Sequence, residues 1–133
     1  MPGYSGTPLP KKLGFKAGFR IATFDMPADV KAELKAALAE CTIDLGLKRP
    51  VDLIMWFAKS QEELDDLSRI AKSLTPAGML WISWPKKSSG VATDLDENVV
   101  RKIGFAAGLV DVKVCAISNV WSGLKFVRRI KDR

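Results

Sequence analysis

Two stretches in the middle of the chain carry apolar side chains at nearly every position, so both faces of an extended strand would be apolar. They are Val51–Ala58, in which only Asp52 is charged, and Met79–Trp84. A strand that is apolar on both faces is typical of the centre of a parallel sheet covered by helices on both sides. The pattern therefore predicts an α/β domain built around these two strands.

Three segments place apolar residues at the i, i+3, i+4 and i+7 spacing of an amphipathic helix. We predict helices over residues 28–40, 60–74 and 94–107. Ser60 with Glu63, and Asp94 with Glu97, have the spacing of a capping box, in which the first residue caps the helix and the second bonds back to it. Each of these two helices is therefore expected to begin just after a strand.

Further strands are predicted on either side of this centre. Arg20–Phe24 is one, and Val110–Ile117 with Leu124–Arg129 forms an antiparallel hairpin because the connection between them is short. Cys41–Leu45 is either a strand or a turn. We favour the strand, because without it all three helices would cross on one face and leave the other face of the sheet bare.

The fold class that follows is α/β, a small doubly wound and mostly parallel sheet with an antiparallel C-terminal hairpin. We assign residues 20–129 to this single domain. Residues 1–19 are rich in glycine and proline and are predicted to form an ordered arm with a helical turn near Leu9–Leu13; a disordered leader is the alternative. Residues 130–133 form a basic tail. We interpret the C-terminal run Arg128–Arg133 as a frayed, solubilising end, with nucleic-acid binding as the alternative.

The chain has 133 residues, two cysteines and no histidine. Without histidine, Ser-His-Asp and Cys-His triads and most transition-metal sites are excluded. Cys41 and Cys115 do not have the spacing of a zinc site, and each is interpreted as a small buried side chain. We expect no metal, and we favour a non-catalytic role over an enzyme.

The net charge of +6 favours anionic partners, either a small anion or nucleic acid, although the charge also keeps a small protein in solution. No apolar run is long enough to span a bilayer, and the N-terminus lacks a signal-peptide pattern. We therefore predict a cytoplasmic protein without a membrane partner, and leave a homodimer open.

The best candidate site follows the strand Met79–Trp84, where a loop of two lysines, two serines and a glycine leads into a helix. Such loops lie at the carboxyl edge of a sheet, where ligands bind, and glycine lets backbone N–H groups converge on an anion. A solvated surface loop is the alternative. The predicted ligand-binding residues are Lys59, Ser60, Trp84, Lys86, Lys87, Ser88 and Ser89. Asp94 at the helix start would oppose an anion at that helix end.

Two resemblances support the fold. Val51–Phe57, the helix after it, and the phrase Leu74–Ile82 (LTPAGMLWI) resemble the second half of a class I S-adenosylmethionine methyltransferase. More closely, Gly3–Leu9, Trp84–Leu95 and Gly108–Ile117, with Trp121–Val127, resemble a family of small bacterial proteins catalogued as domain of unknown function 3052. The second resemblance spans nearly the whole chain and implies a fold but no catalytic residues.

The methyltransferase resemblance stops where the cofactor would bind. Those enzymes follow their first strand with a Gly-x-Gly loop, whereas this chain has Phe24–Ala28, with no glycine and with Pro27 in place of an N–H donor. Asp44 is placed like their ribose-binding acid, but an Asp beside a turn is more often a turn residue. The cofactor is left unknown.

The sequence therefore favours an α/β domain that binds a small anionic or phosphate-bearing ligand at the carboxyl edge of its sheet. Two alternatives remain, a divergent methyltransferase-like enzyme and a basic module that binds nucleic acid or a partner protein.

Overall fold

A computed structural model describes residues 7–133; Tyr4 and the other residues of the arm before Thr7 lie outside the described part. The strands, numbered in chain order, are β1 (Arg20–Phe24), β2 (Thr42–Ile43), β3 (Val51–Phe57), β4 (Leu74–Pro85), β5 (Leu109–Ala116) and β6 (Trp121–Arg128). The helices are α1 (Leu9–Leu13), α2 (Ala28–Glu33), α3 (Lys35–Ala39), α4 (Leu67–Ala71) and α5 (Glu97–Ala106).

The six strands form one sheet in the order β2-β1-β3-β4-β6-β5. The pairs β2–β1, β1–β3 and β3–β4 are parallel, whereas β6 runs antiparallel to both β4 and β5. The predicted fold class, a mostly parallel sheet with an antiparallel C-terminal hairpin, is confirmed. Thr42 and Ile43 pair with β1, so the short second strand that we favoured over a turn is present.

Each face of the sheet has its own apolar core. On one face, α1, α2 and α3 cover a cluster that includes Leu53, Met55 and Trp81. On the other face, α4 and α5 cover a cluster that includes Ile54 and Trp56. The two apolar faces predicted for the central strands are therefore buried as expected, against different helices.

The described part of the arm, from Thr7 onward, is docked onto the sheet through α1. Leu9 and Leu13 of α1 are buried in the first of these two cores. The indole Nε1 of Trp81, itself fully buried, donates a hydrogen bond to the backbone oxygen of Leu13 at 2.9 Å. A buried indole needs such an acceptor, and this bond fixes α1 across β4. The predicted helical turn near Leu9–Leu13 is confirmed.

Some predicted element boundaries differ from the structure. Strand β4 begins at Leu74, so residues 76–78 lie inside the strand, at an irregularity in its pairing with β3, rather than ending a helix. The helix predicted over 28–40 is two short helices that meet at Leu34. The helix predicted over 60–74 is a 3-10 turn, Glu62–Leu64, followed by α4.

The basic C-terminus is not frayed as interpreted from the sequence. It forms a 3-10 turn, Ile130–Asp132, and Arg128 donates to the backbone oxygens of Leu74 at 3.0 Å and Asp132 at 2.8 Å. Arg129 donates to the oxygen of Phe105 at 2.9 Å, and its guanidinium lies 4.8 Å from the centre of that ring. These arginines fasten the end of the chain to the domain.

Candidate functional site

The carboxyl ends of β1 and β3 are the topological switch point of the sheet. These strands are neighbours, but the chain leaves β1 toward α2 on one face and leaves β3 toward α4 on the other. Such divergence opens a crevice between the strand ends, and ligands of α/β proteins bind there. Asp25, the residue after β1, has a φ of 56°, a left-handed conformation that is uncommon outside glycine and recurs at functional sites.

A cavity of about 390 Å³ opens at this switch point. Its volume lies in the range of small-molecule sites. It is lined by Asp25, Pro27, Phe57, Lys59, Glu63 and Trp121. The lining thus combines two carboxylates, one ammonium group and two aromatic rings, which is a small number of charged groups against an apolar wall.

The aromatic wall of the cavity is formed by Phe57 at the end of β3 and Trp121 at the start of β6. Their ring centres are 5.2 Å apart and the ring planes meet at 83°, an edge-to-face contact. Both side chains are more than nine-tenths buried. Aromatic pairs in this geometry attract each other, so this wall is held in place before any ligand enters.

Lys59 and Glu63 are positioned by the capping box predicted from the sequence. The Glu63 carboxylate accepts hydrogen bonds from the backbone N–H of Lys59 and the hydroxyl of Ser60, both at 3.1 Å, and the Glu63 N–H donates to that hydroxyl at 3.3 Å. From the other side, the Thr93 hydroxyl donates to the backbone oxygen of Lys59 at 2.6 Å. The backbone that carries Lys59 is therefore fixed on both sides.

The lysine- and serine-rich loop lies at the same edge of the sheet but is not part of this lining. Its residues 87–89 form a 3-10 turn, in which the Ser89 hydroxyl donates to the Lys86 oxygen at 2.6 Å. The Lys86 N–H donates to the oxygen of Val120 at 2.7 Å, next to Trp121. Lys87 and Ser88 are exposed.

The structure thus separates the predicted site residues. Lys59 lines the cavity, Ser60 belongs to its supporting capping box, and Lys86, Lys87, Ser88 and Ser89 lie on the neighbouring loop. Trp84 packs in the core beneath α4 and α5, on the other face of the sheet, and does not line the cavity.

Asp94 does not cap a helix. The N-cap of α5 is Asp96, whose carboxylate accepts a hydrogen bond from the Val99 N–H at 2.8 Å. Asp94 instead accepts from the Gln61 N–H at 2.9 Å, which ties the loop to the segment after β3. The prediction that Asp94 caps the helix was wrong. Asp94 and Asp96 both lie near the start of α5, but the carboxylate of Asp94 is bonded to Gln61, and Asp96 caps the helix.

Five of the six lining residues are not among the predicted ligand-binding residues, namely Asp25, Pro27, Phe57, Glu63 and Trp121. Asp25 had a usable signal, since it directly follows β1, at the edge where parallel strands present ligand-binding groups. Trp121 had a weaker one, since it lies at the end of a loop, where an indole either packs in the core or caps a pocket; its place in this cavity depends on β6 running antiparallel beside β4.

The residues present do not fit S-adenosylmethionine in the way the fold implies. After β1, the left-handed Asp25 and Pro27 stand in place of a glycine loop. The acid after β2, Asp44, accepts hydrogen bonds from the N–H groups of Lys48 and Arg49 at 3.3 and 3.2 Å.

The same carboxylate forms a salt bridge with Arg20 at 3.4 Å. Burial acts to raise the pKa of Asp44, but the two N–H groups and the Arg20 guanidinium outweigh it, so that pKa lies below its ordinary value. Asp44 is therefore an ionised structural group whose acceptor sites are occupied by the protein.

Within residues 7–133, no group of three or more cysteine, aspartate or glutamate side chains is arranged to hold a metal ion. Over the same residues, no helix is long and apolar enough to cross a membrane.

The fold is that of the class I S-adenosylmethionine methyltransferases. A methyltransferase from Aquifex aeolicus superposes with a TM-score of 0.59 and 17% identity, over 87% of this chain and 85% of that one. The fibrillarin pre-rRNA processing protein of Methanococcus jannaschii gives 0.57 and 16%, over 96% and 76%. Magnesium protoporphyrin IX methyltransferase from Synechocystis gives 0.57 and 15%, over 91% and 74%. At these identities the likeness shows the fold alone.

The chain itself belongs to the family described as "Protein of unknown function (DUF3052)", whose model matches residues 10–130. No curated protein matches it in sequence.

Proposed function

We propose that this protein is a binding domain for a small organic anion that also carries a cationic or hydrogen-bond-donating group. The observation that carries the proposal is the cavity at the β1–β3 switch point, in which Lys59 faces the same space as Asp25 and Glu63. Lys59 forms no salt bridge with any of residues 7–133, so its ammonium group is available to an anionic ligand group. A zwitterionic molecule of the size of an amino acid satisfies both kinds of charge.

The two carboxylates differ in what they offer such a ligand. Glu63 already accepts two hydrogen bonds on Oε2, which leaves Oε1 as its acceptor. Asp25 is exposed and held in the left-handed region directly after β1. We therefore assign the cationic end of the ligand to Asp25 and the orientation of Lys59 to Glu63.

The apolar part of the ligand packs on Phe57 and Trp121. Their edge-to-face contact leaves a rigid wall, and a rigid wall binds without the cost of ordering side chains. This wall favours ligands with an aliphatic or aromatic portion over inorganic ions.

Calorimetric titration with a panel of amino acids, keto acids and nucleotides tests the proposal. A ligand found in the panel should bind Lys59→Gln and Asp25→Asn at least about tenfold more weakly, equivalent to about 1.4 kcal/mol each. Lys87→Gln is the matched control, since Lys87 is an exposed lysine of the adjacent loop, outside the lining. Unchanged affinity of Lys59→Gln for such a ligand would refute the assignment.

The loop of residues 86–89 is a second candidate for the anionic group, as the sequence predicted. The supporting observation is that neither Lys86 nor Lys87 forms a salt bridge within the described chain, while Gly90, with a φ of 77°, turns the backbone just beyond them. If a phosphate-bearing ligand loses affinity in the double variant Lys86→Gln/Lys87→Gln but not in Lys59→Gln, the loop is the anion site.

Methyl transfer is the remaining candidate, and the fold is the observation in its favour. The loop after β1 and the occupied acceptors of Asp44 oppose it. If titration with S-adenosylmethionine releases heat and Asp25→Asn abolishes it, methyl transfer becomes the favoured function. If no heat is released, methyl transfer is excluded as a candidate.

A further inference from the structure

A second basic cluster lies on a face of the sheet, away from the switch-point cavity. Lys113 on β5 stands directly opposite Lys125 on β6, and Lys125 is in turn in register with Trp81 on β4. Both lysines therefore project from the face on which α1 lies, because Trp81 is buried under α1 there. Lys125 is half-buried and Lys113 is exposed.

A third lysine approaches from α1. The ammonium group of Lys12 donates to the backbone oxygen of Ala116, near the end of β5, at 3.5 Å. Burial raises the pKa of the Cys115 thiol, and the positive charges of Lys12 and Lys113 partly offset this rise. Cys115 follows Lys113 by two residues on β5 and packs against the same core, so Lys12 and the cross-strand pair Lys113 and Lys125 share one face of the sheet.

Two like charges directly opposite each other on neighbouring strands destabilise a sheet. Burial lowers the pKa of Lys125, and the charge of Lys113 lowers it further. Neither Lys113 nor Lys125 forms a salt bridge within residues 7–133. The acid of β5, Asp111, lies opposite Phe126 on the other face and is paired with Arg101 at 3.0 Å.

We propose that the cross-strand pair Lys113 and Lys125, which lies on the same face as Lys12, binds a phosphate group. A tetrahedral dianion presents several oxygens, each able to accept a charge-assisted hydrogen bond from a different ammonium group, and its charge removes the cross-strand repulsion. The phosphate is either a free ion or the terminal group of a larger monoester.

The test uses the full chain with inorganic phosphate and O-phosphoserine as probes and chloride at matched ionic strength as reference. The wild type should bind phosphate, measured by calorimetry, and gain a higher Tm in phosphate than in chloride. Lys113→Gln and Lys125→Gln should each weaken phosphate binding at least about tenfold. Lys102→Gln, an exposed lysine on α5, should not. Tighter binding of O-phosphoserine identifies a monoester as the source, and equal or weaker binding identifies free phosphate.

Two results would overturn the proposal. One is a Tm gain that is equal in phosphate and chloride, or that survives in both variants. The other is a lower Tm of Lys125→Gln than of the wild type at low ionic strength without phosphate, because removal of an unpaired repulsive charge should leave the Tm equal or higher. Lys59→Gln should leave phosphate binding unchanged, so this test stands apart from that of the switch-point cavity.

Discussion

Gly104 in α5 gives the sharpest test of how the second face of the sheet is packed. A Cβ at this position would lie 2.1 Å from Cε1 and 2.4 Å from Cζ of Phe126. Phe126 on β6 is fully buried, so its ring is enclosed by the core beneath α5. The helix therefore approaches the strand at a distance that only glycine permits.

Two opposing effects decide the stability of Gly104→Ala. Alanine in a helix interior is favoured over glycine by about 1 kcal/mol. Against this, carbon atoms in contact normally sit about 3.5–4.0 Å apart, so the ring or the helix must move by more than 1 Å. Overpacking of a close-packed core costs about 1–3 kcal/mol, occasionally more, and a contact as short as this one belongs at the upper end. We expect a net loss of about 2 kcal/mol, roughly 5–10 °C in Tm.

Urea unfolding monitored by tryptophan fluorescence measures the change. Phe126→Leu alone should lower the free energy of unfolding by about 1–3 kcal/mol. The double variant Gly104→Ala/Phe126→Leu should lose at least about 1 kcal/mol less than the sum of the two single losses, because the smaller side chain makes room for the new methyl group. Lys102→Ala, on the exposed side of α5, is the control and should change stability little. A Gly104→Ala variant more stable than the wild type would refute the close approach.

Three further substitutions test individual contacts. Asp96→Ala should cost about 1 kcal/mol in urea unfolding because it removes the N-cap of α5, whereas Asp94→Ala should leave α5 intact and only loosen the loop from the segment after β3, measured by faster hydrogen exchange there. The pKa of Asp44 is lowered on folding, so its charge stabilises the protein fully above the ordinary carboxyl value of 3.8; Asp44→Asn should lower the Tm at neutral pH, and the gap to the wild type should close as the pH falls below that value. Arg129→Gln removes the cation–π contact with Phe105 and should expose the C-terminus to carboxypeptidase without changing the strands.

The sheet was predictable because its central strands are apolar on both faces, a pattern that a surface strand does not show. The short β2 was predictable only through topology, since Thr42 and Ile43 are both exposed and carry no burial pattern of their own. The long helix predicted over 60–74 was not found, because local spacing does not show that the chain after Leu64 turns before α4 begins.

The sequence predicts where the candidate site lies, at the carboxyl edge of the sheet, but not most of the residues that line it. The sequence identifies the ends of parallel strands, and Lys59 was found in this way. In the sequence, the lysine-rich loop is the stronger indication of an anion site because its residues are adjacent. In the structure, the Ser89 hydroxyl and the Lys86 N–H donate hydrogen bonds to protein oxygens instead. Trp121 lies at a loop end, where an indole can cap a pocket, but its place in this particular cavity follows from the position of β6 beside β4.

The hydrogen bonds that Asp44 accepts bear on where this chain could bind a ligand. An acid after the second strand is free to bind a ligand only while the protein leaves its oxygens unbonded, and here two N–H groups and Arg20 take them. Strand β2 has only two residues, so the salt bridge between Asp44 and Arg20 also helps to hold this edge strand against β1. A ligand that competed for this carboxylate would loosen the edge of the sheet. The ligand site that we propose therefore lies on the β3 side of β1, in the cavity lined by Asp25 and Lys59.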